Sequence, residues 1–417
     1  MKTRLGMVSL LVVAATGVAA CGSSSSKSTS SNASTGGANT VDVYSSLPLQ
    51  GASSAQTMPM VNGIKLALDQ AANKAGQFTV NYVSLDDSTA QAGKWDASQV
   101  NANARKVAQD SKAVYYIGDF NSGASKLSIP ILNSPGIAQV SPANTYVGLT
   151  TNEPGSAPGE PGIYYPNGKR NYLRIVPRDK IQAAALLKTM KSDGCTKAAV
   201  ANDKDTYGQG LAALLELQKG TYGITITSNT GIDPKQPNFR TYAQTIKAQG
   251  ADCFVFSGIV ANGGVQITKD VAAALPNAKI YGPDGMCTNT WTNPAKGGVP
   301  LSIDKNIQCT VATLDLKAYP GGKTFLAAYK AKYGDANPDP YAIYGYEAMK
   351  LGLDTIAGVG PKGNDKSAVL AGLFATKARS SVLGTYGFDK NGDTTLTAYG
   401  LYKVGPDGNP LFEKTVT

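Results

Sequence analysis

Residues 113–145 read AVYYIGDFNSGASKLSIPILNSPGIAQVSPANT. Ala113 to Ile117 is an unbroken apolar run of strand length, Ser125 to Leu132 is a helical segment, and Ile137-Ala138-Gln139-Val140 is a second buried strand. Strand, helix and strand in about thirty residues make a βαβ unit, whose strands must be parallel. Such sheets carry ligands at the carboxyl ends of their strands. Ser122 and the Ala143-Asn144-Thr145 segment therefore fall on a binding edge.

The same alternation extends in both directions. Before this unit, Val41 to Tyr44 and Phe78 to Leu85 read as strands. Met60 to Ala75 and Ala97 to Ala108 read as helices, the first with Ile64, Leu68 and Ala71 on one face. After it, Tyr146 to Arg170 is a long loop with four prolines, the kind of segment that is usually functional or disordered. A second series follows, with helices from Ile181, Gly208, Phe239 and Val265 and strands at Lys197–Ala201, Ile224–Thr227, Cys253–Phe256, Lys279–Tyr281 and Ile307–Leu314. Late helices at Thr324–Tyr333, Ala342–Ala357 and Ser367–Ala375 have no strands among them, so they are expected to return to the first sheet. The final β region, Thr385 to Val416, is expected to return to the second.

The fold class is therefore α/β, with two doubly wound, Rossmann-like lobes joined by several crossing strands that act as a hinge. The expected divisions are 41–176 plus 316–380 for the first lobe and 177–315 plus 381–417 for the second.

Ahead of these lobes stand a basic head (Lys2, Arg4), an apolar run from Met7 to Ala20, and Cys21 directly after Val18-Ala19-Ala20. The run is too short for a permanent span, which needs about 20 apolar residues, and fits a signal peptide over residues 1–20. Cys21 resembles the lipidated cysteine of the bacterial lipobox. Residues 21–40, rich in Ser, Gly, Thr and Asn, cannot bury enough surface to fold and read as a flexible tether.

Composition narrows the function. The chain has no histidine, which removes Ser-His-Asp and Cys-His catalysis and the usual zinc sites. Its net charge of +10 is scattered, without basic runs or interleaved aromatics, so nucleic acid is not an expected partner. Four cysteines remain besides Cys21, without zinc-ligand spacing, and in an oxidising compartment they make two disulfides. Three pairings are possible. A sheet order of 2-1-3-4-5 sets the strand after Cys195 beside the one that Cys253 begins, and the strand before Cys287 beside the one containing Cys309. This predicts Cys195–Cys253 and Cys287–Cys309.

From Val41 to about Tyr402 the chain resembles the type I periplasmic binding proteins, and within them the leucine/isoleucine/valine-binding proteins of ABC transporters. The resemblance rests on ordered landmarks: Leu47-Pro48-Leu49-Gln50-Gly51, Leu85-Asp86-Asp87, Tyr116-Ile117-Gly118, Asn121-Ser122-Gly123, Val140 to Thr145, Asn202 to Gly210, Tyr281 to Gly285 and Phe388 to Asp393. It implies that Ser122, Ala143 and Thr145 bind the carboxylate and ammonium of an amino acid, that Tyr207 closes over it, and that Asp284 pairs with the ammonium. It also implies Tyr341 and Tyr344 as lining of a side-chain pocket. Val260 stands where a compared relative has a ligand-facing tyrosine, and Tyr164 and Tyr165 of the 146–170 loop are within reach of the cleft. By themselves Ser122 reads as a helix cap, Asp284 as a turn residue, and the two late tyrosines as core. Asp389 to Asp393 looks like a calcium loop but lacks its closing glutamate, so it reads as a hairpin turn.

The resulting expectation is a lipid-anchored solute-binding protein outside the bacterial membrane. It would be monomeric and without cofactor or metal, would deliver an amino acid with a branched or other aliphatic side chain to an ABC permease, and would not be an enzyme. The alternative is a binder or sensor of another small polar solute, such as an amide, a urea derivative or an aromatic acid. The acid at Asp284 argues against it, because a ligand without an amine leaves a buried carboxylate uncompensated.

Overall fold

The computed structural model describes residues 39–416; the expected signal peptide, Cys21 and nearly all of the tether lie outside them. The first sheet runs in the order Lys74–Ala75, Phe78–Asp86, Thr40–Leu47, Ala113–Gly118, Ala138–Ser141, Tyr172–Arg174. All pairings but that of the short edge strand are parallel. Ala113–Gly118 is buried along its whole length, as a central parallel strand covered on both faces requires. The helix Tyr341–Gly358 returns to this sheet and lies along Ser54–Gln70. Two glycines allow the contact: a Cβ at Gly63 would collide with the Ala342 carbonyl, and one at Gly345 with the Met60 carbonyl.

The second sheet runs Thr225–Gly231, Lys197–Asn202, Cys253–Ser257, Lys279–Gly282, Ile307–Val311, Tyr399–Val404, Pro410–Val416. Its first five strands are parallel, and the last two add antiparallel. Both sheets thus contain the expected 2-1-3-4-5 order. That order brings the cysteines together: Cys195 bonds Cys253 with Cα atoms 5.9 Å apart, and Cys287 bonds Cys309 at 5.5 Å. Both separations lie within the span a disulfide bridges.

The chain crosses between the sheets after Arg174, after Val311 and again before Tyr399. A buried ion pair fastens two of these crossings. Arg174 Nε donates to Asp393 Oδ1 at 2.7 Å, and the same two residues form an isolated parallel bridge. The guanidinium also donates to the carbonyls of Asn144 (3.2 Å) and Tyr146 (2.8 Å) and to Thr150 Oγ1 (2.5 Å). A fully buried cation is tolerable only with its donors occupied in this way.

Candidate binding cleft

At the carboxyl edge of the first sheet, Ser122 opens the helix Ser122–Asn133, and the preceding Asn121 makes no side-chain capping bond. The Asn121 carboxamide oxygen is buried without a partner. Next to it, Ser141 Oγ accepts from the N–H groups of Ala143 (3.2 Å) and Asn144 (2.9 Å), and Asn144 Nδ2 donates to the Phe120 carbonyl at 2.9 Å. The loops carrying Ser122 and Thr145 are thereby one unit; the Tyr146 N–H also reaches Ser122 Oγ at 3.5 Å. Ser122, Ala143 and Thr145 are all buried. Free helix N–H groups beside a serine and a threonine hydroxyl suit a carboxylate.

The second lobe supplies Tyr207 from the first turn of the helix Thr206–Gln218, and Asp284 from the turn after strand Lys279–Gly282. The structure brings these two into direct contact: the Tyr207 hydroxyl donates to Asp284 Oδ1. Tyr341 donates to Asp284 Oδ2 at 3.1 Å, and Gln56 Nε2 reaches the Asp284 carbonyl at 3.3 Å. Burial raises the pKa of Asp284, partly offset by the donors Tyr207, Gln182 and Tyr341. Val260 sits beside this turn, its N–H on the Gly285 carbonyl at 3.2 Å. Tyr344 packs edge-on against Tyr341, and its hydroxyl donates to the Ala312 carbonyl at 3.0 Å. Tyr164 and Tyr165 spend their hydroxyls inside their own loop, on Glu160 and on the Leu149 carbonyl.

Three further residues join the cleft without having stood out in the sequence: Gln56, Asp179 and Gln182. Asp179 is wholly buried, and neither carboxylate oxygen has a hydrogen-bond partner. Its N–H donates to the Thr145 carbonyl at 2.8 Å, which places it between the two edges. Burial pushes its pKa far up, and the Asp284 charge adds to the shift. The Thr145 hydroxyl, near but outside hydrogen-bonding geometry, and the Arg174 charge ease it. Gln182 Oε1 lies 3.3 Å from the Tyr207 hydroxyl, as a second acceptor beside Asp284. Asp179 and Gln182 open a helix three residues apart, a spacing that reads in sequence as ordinary end-capping.

The lobes touch at the rim through Lys94 Nζ on Asn262 Oδ1 (2.5 Å) and Trp95 Nε1 on Asp205 Oδ2 (3.2 Å). Gln56 also walls an interlobe cavity of about 630 Å³, whose lining mixes apolar Val311, Leu316 and Leu326 with Asp315, Lys317 and Asp339.

Residues 45–409 match the family described as periplasmic binding protein, and the chain belongs to that family. It is 28% identical to the Leu/Ile/Val-binding protein BraC3 of Rhizobium johnstonii, over 85% of this chain and 89% of that one. It is 25% identical to an amino acid binding protein of Pseudomonas aeruginosa, over 75% and 77%. Among solved structures, the leucine-binding protein LivK of Thermotoga maritima shares the fold with a TM-score of 0.76 at 21% identity, covering 90% of this chain and 98% of that one. A solute-binding protein of an R. palustris ABC transporter, solved with benzoate, shares it at 0.73 and 18%, covering 90% and 96%. The chain is thus a periplasmic binding protein, a solute-binding protein and not an enzyme.

Proposed function

We propose that the cleft binds an amino acid by closing over both of its charged ends, and that the side chain is branched or otherwise aliphatic. The ligand carboxylate sits at the start of helix Ser122–Asn133 with Thr145, its ammonium lies against Asp284, and Tyr207 covers it. The observation that carries this reading is the pair of buried carboxylates, Asp179 and Asp284, neither of which makes a salt bridge among the described residues. Two acids without a cation make a site that gains by receiving one. Tyr207 and Tyr341 hold Asp284 meanwhile as neutral donors, which an ammonium can displace or join.

Benzoate and related aromatic acids are bound by structural neighbours, but an anion without an amine would leave these two buried acids without a cation. The names of the sequence relatives favour leucine, isoleucine and valine. Attachment by lipid at Cys21 and delivery to a permease complete the proposal; Cys21→Ser should release the protein from the membrane fraction. A thermal-shift panel of the standard amino acids plus benzoate and 4-hydroxybenzoate tests the ligand class, with lysine and arginine included because of Asp315 and Asp339. A ligand at 100 times its Kd should add about 2.7 kcal/mol. A response to the benzoates and to no amino acid would overturn the reading.

A further inference from the structure

The proline-rich loop between Tyr146 and Arg170 folds around one acid. Glu160 is buried, accepts from Tyr146 Oη (2.6 Å), from Tyr164 Oη and from the Ala157 N–H (2.7 Å), and faces Lys126 Nζ at 3.5 Å. One end of the loop is fixed at the crossing between the lobes and the other to the first lobe. Thr150 Oγ1 bonds Asp393 and Arg174, and Asn167 donates twice to Asn133, through its N–H to Oδ1 at 3.0 Å and through its Nδ2 to the carbonyl at 2.7 Å.

Its inner face rests on the other lobe. Tyr146, Val147, Leu149, Tyr164 and Tyr165 share one apolar cluster with Tyr207, Leu211 and Leu214. The fit is close: the Tyr146 ring occupies the space a Cβ at Gly210 would need, and Gly155 lies against the Leu214 side chain. Gly210 and Leu214 are one turn apart on the helix Thr206–Gln218, and Tyr207 precedes them on the same side. One helix face therefore carries the cleft tyrosine and then the seat of the loop. Tyr146, in turn, directly follows Thr145 in the chain.

We propose that residues 146–170 are an interlobe clasp, in which the Tyr146 ring seated on Gly210 is a positioning element that sets how closely the Tyr207 helix approaches the Ser122–Thr145 edge. Opening the cleft must lift this ring from its seat, so the clasp biases the free protein toward the closed form and slows ligand release.

The test uses the full chain without ligand, so it does not depend on which solute binds. Gly210→Ala should unseat the ring, enlarge the radius of gyration in small-angle scattering, and speed amide exchange at Ala157, Tyr164 and Tyr165 by about fivefold or more. Tyr146→Ala should do the same. Tyr146→Phe keeps the ring but takes a donor from Glu160, so it should speed exchange at Ala157 and still leave the radius of gyration unchanged, which separates the seat on Gly210 from the folding of the loop itself. Gly210→Ala added to Tyr146→Ala should have no further effect, since the collision is gone. With L-leucine as probe, Gly210→Ala should raise koff about tenfold with little change in kon. Unchanged scattering and exchange in Gly210→Ala, or additive effects in the double variant, would overturn the clasp. Failure of leucine to bind with these changes present would count only against the ligand assignment.

Discussion

Asp179 and Asp284 are two buried carboxylates of one cleft, and the charge of Asp284 raises the pKa of Asp179. Asp284 has phenol donors on both oxygens, whereas Asp179 has none. Two buried acids without a cation are costly to ionise, and on the proposed reading a ligand ammonium offsets that cost, so part of the binding affinity should come from it.

Asp179→Asn separates the two effects. The amide removes the cost of ionising a buried acid, so the ligand-free protein should gain, by about 1–3 kcal/mol and most toward alkaline pH. The same change removes half of the acid pair, and leucine affinity should fall at least about thirtyfold. Differential scanning calorimetry and titration calorimetry read the two quantities. A variant that is less stable and binds leucine normally would show Asp179 to be structural.

Stability should fall as pH rises from acid toward neutral. Burial pushes Asp119 and Asp203 to about 6 and Asp339 to about 7, and raises Asp179 and Asp284 as well. Unfolded, these acids titrate near about 4, so between about pH 4 and 7 the folded state binds more protons and loses stability with each step in pH. Asp86, Asp110 and Glu160 are shifted downward and act with the opposite sign, at pH values below their ordinary range. The melting temperature of the free protein should therefore be higher at pH 5 than at pH 7.5. Leucine uptake near pH 6 should release protons, seen as a buffer-dependent heat, because an ammonium favours the ionised acids.

The ion pair Arg174–Asp393 offers a check on the crossings. Asp393→Asn leaves a buried guanidinium without its counter-charge and should cost about 3–5 kcal/mol. Replacing both, with Arg174→Met and Asp393→Leu, should cost less than the single change, because no charge is then stranded. Equal losses in the single and double variants in urea melts would mean that the hydrogen bonds to the Asn144 and Tyr146 carbonyls matter more than the charge pair.

The sheet architecture was readable because parallel strands buried on both faces are short apolar runs such as Cys253-Phe254-Val255-Phe256, spaced by helices. Tyr207 and Asp284 were singled out through family landmarks as residues of one proposed site, and the structure shows them in contact. Asp179 and Gln182 were not, since a polar pair three residues apart at a helix start has an ordinary capping explanation. Gln56 sits in a helix with no pattern to mark it. Glu160 was hidden for another reason: its loop is full of proline and glycine, and the partners that make it a folding centre, Tyr146 and Lys126, lie 14 and 34 residues away. Tertiary contacts of that kind leave no periodic trace.

The disulfides make the last prediction. Each bridge ties neighbouring strands of the second sheet: Cys195–Cys253 closes a separation of 58 residues and Cys287–Cys309 one of 22. Loop-closure entropy in the unfolded chain gives about 4 kcal/mol for the first and about 3 kcal/mol for the second. Replacing each pair by serines should therefore destabilise the protein in both cases, somewhat more for the longer loop. The bridge at Cys287 should also matter for binding, because Cys287 follows the turn that holds Asp284 and its N–H donates to the Asp284 carbonyl at 3.2 Å. Cys287→Ser with Cys309→Ser should then weaken leucine binding as well as lower the melting temperature, while Cys195→Ser with Cys253→Ser, at the opposite end of the strands, should lower the melting temperature alone. Peptide mapping without reductant identifies the pairs, and calorimetry separates the two variants. Loss of binding in the Cys195/Cys253 variant with none in the other would reverse this assignment.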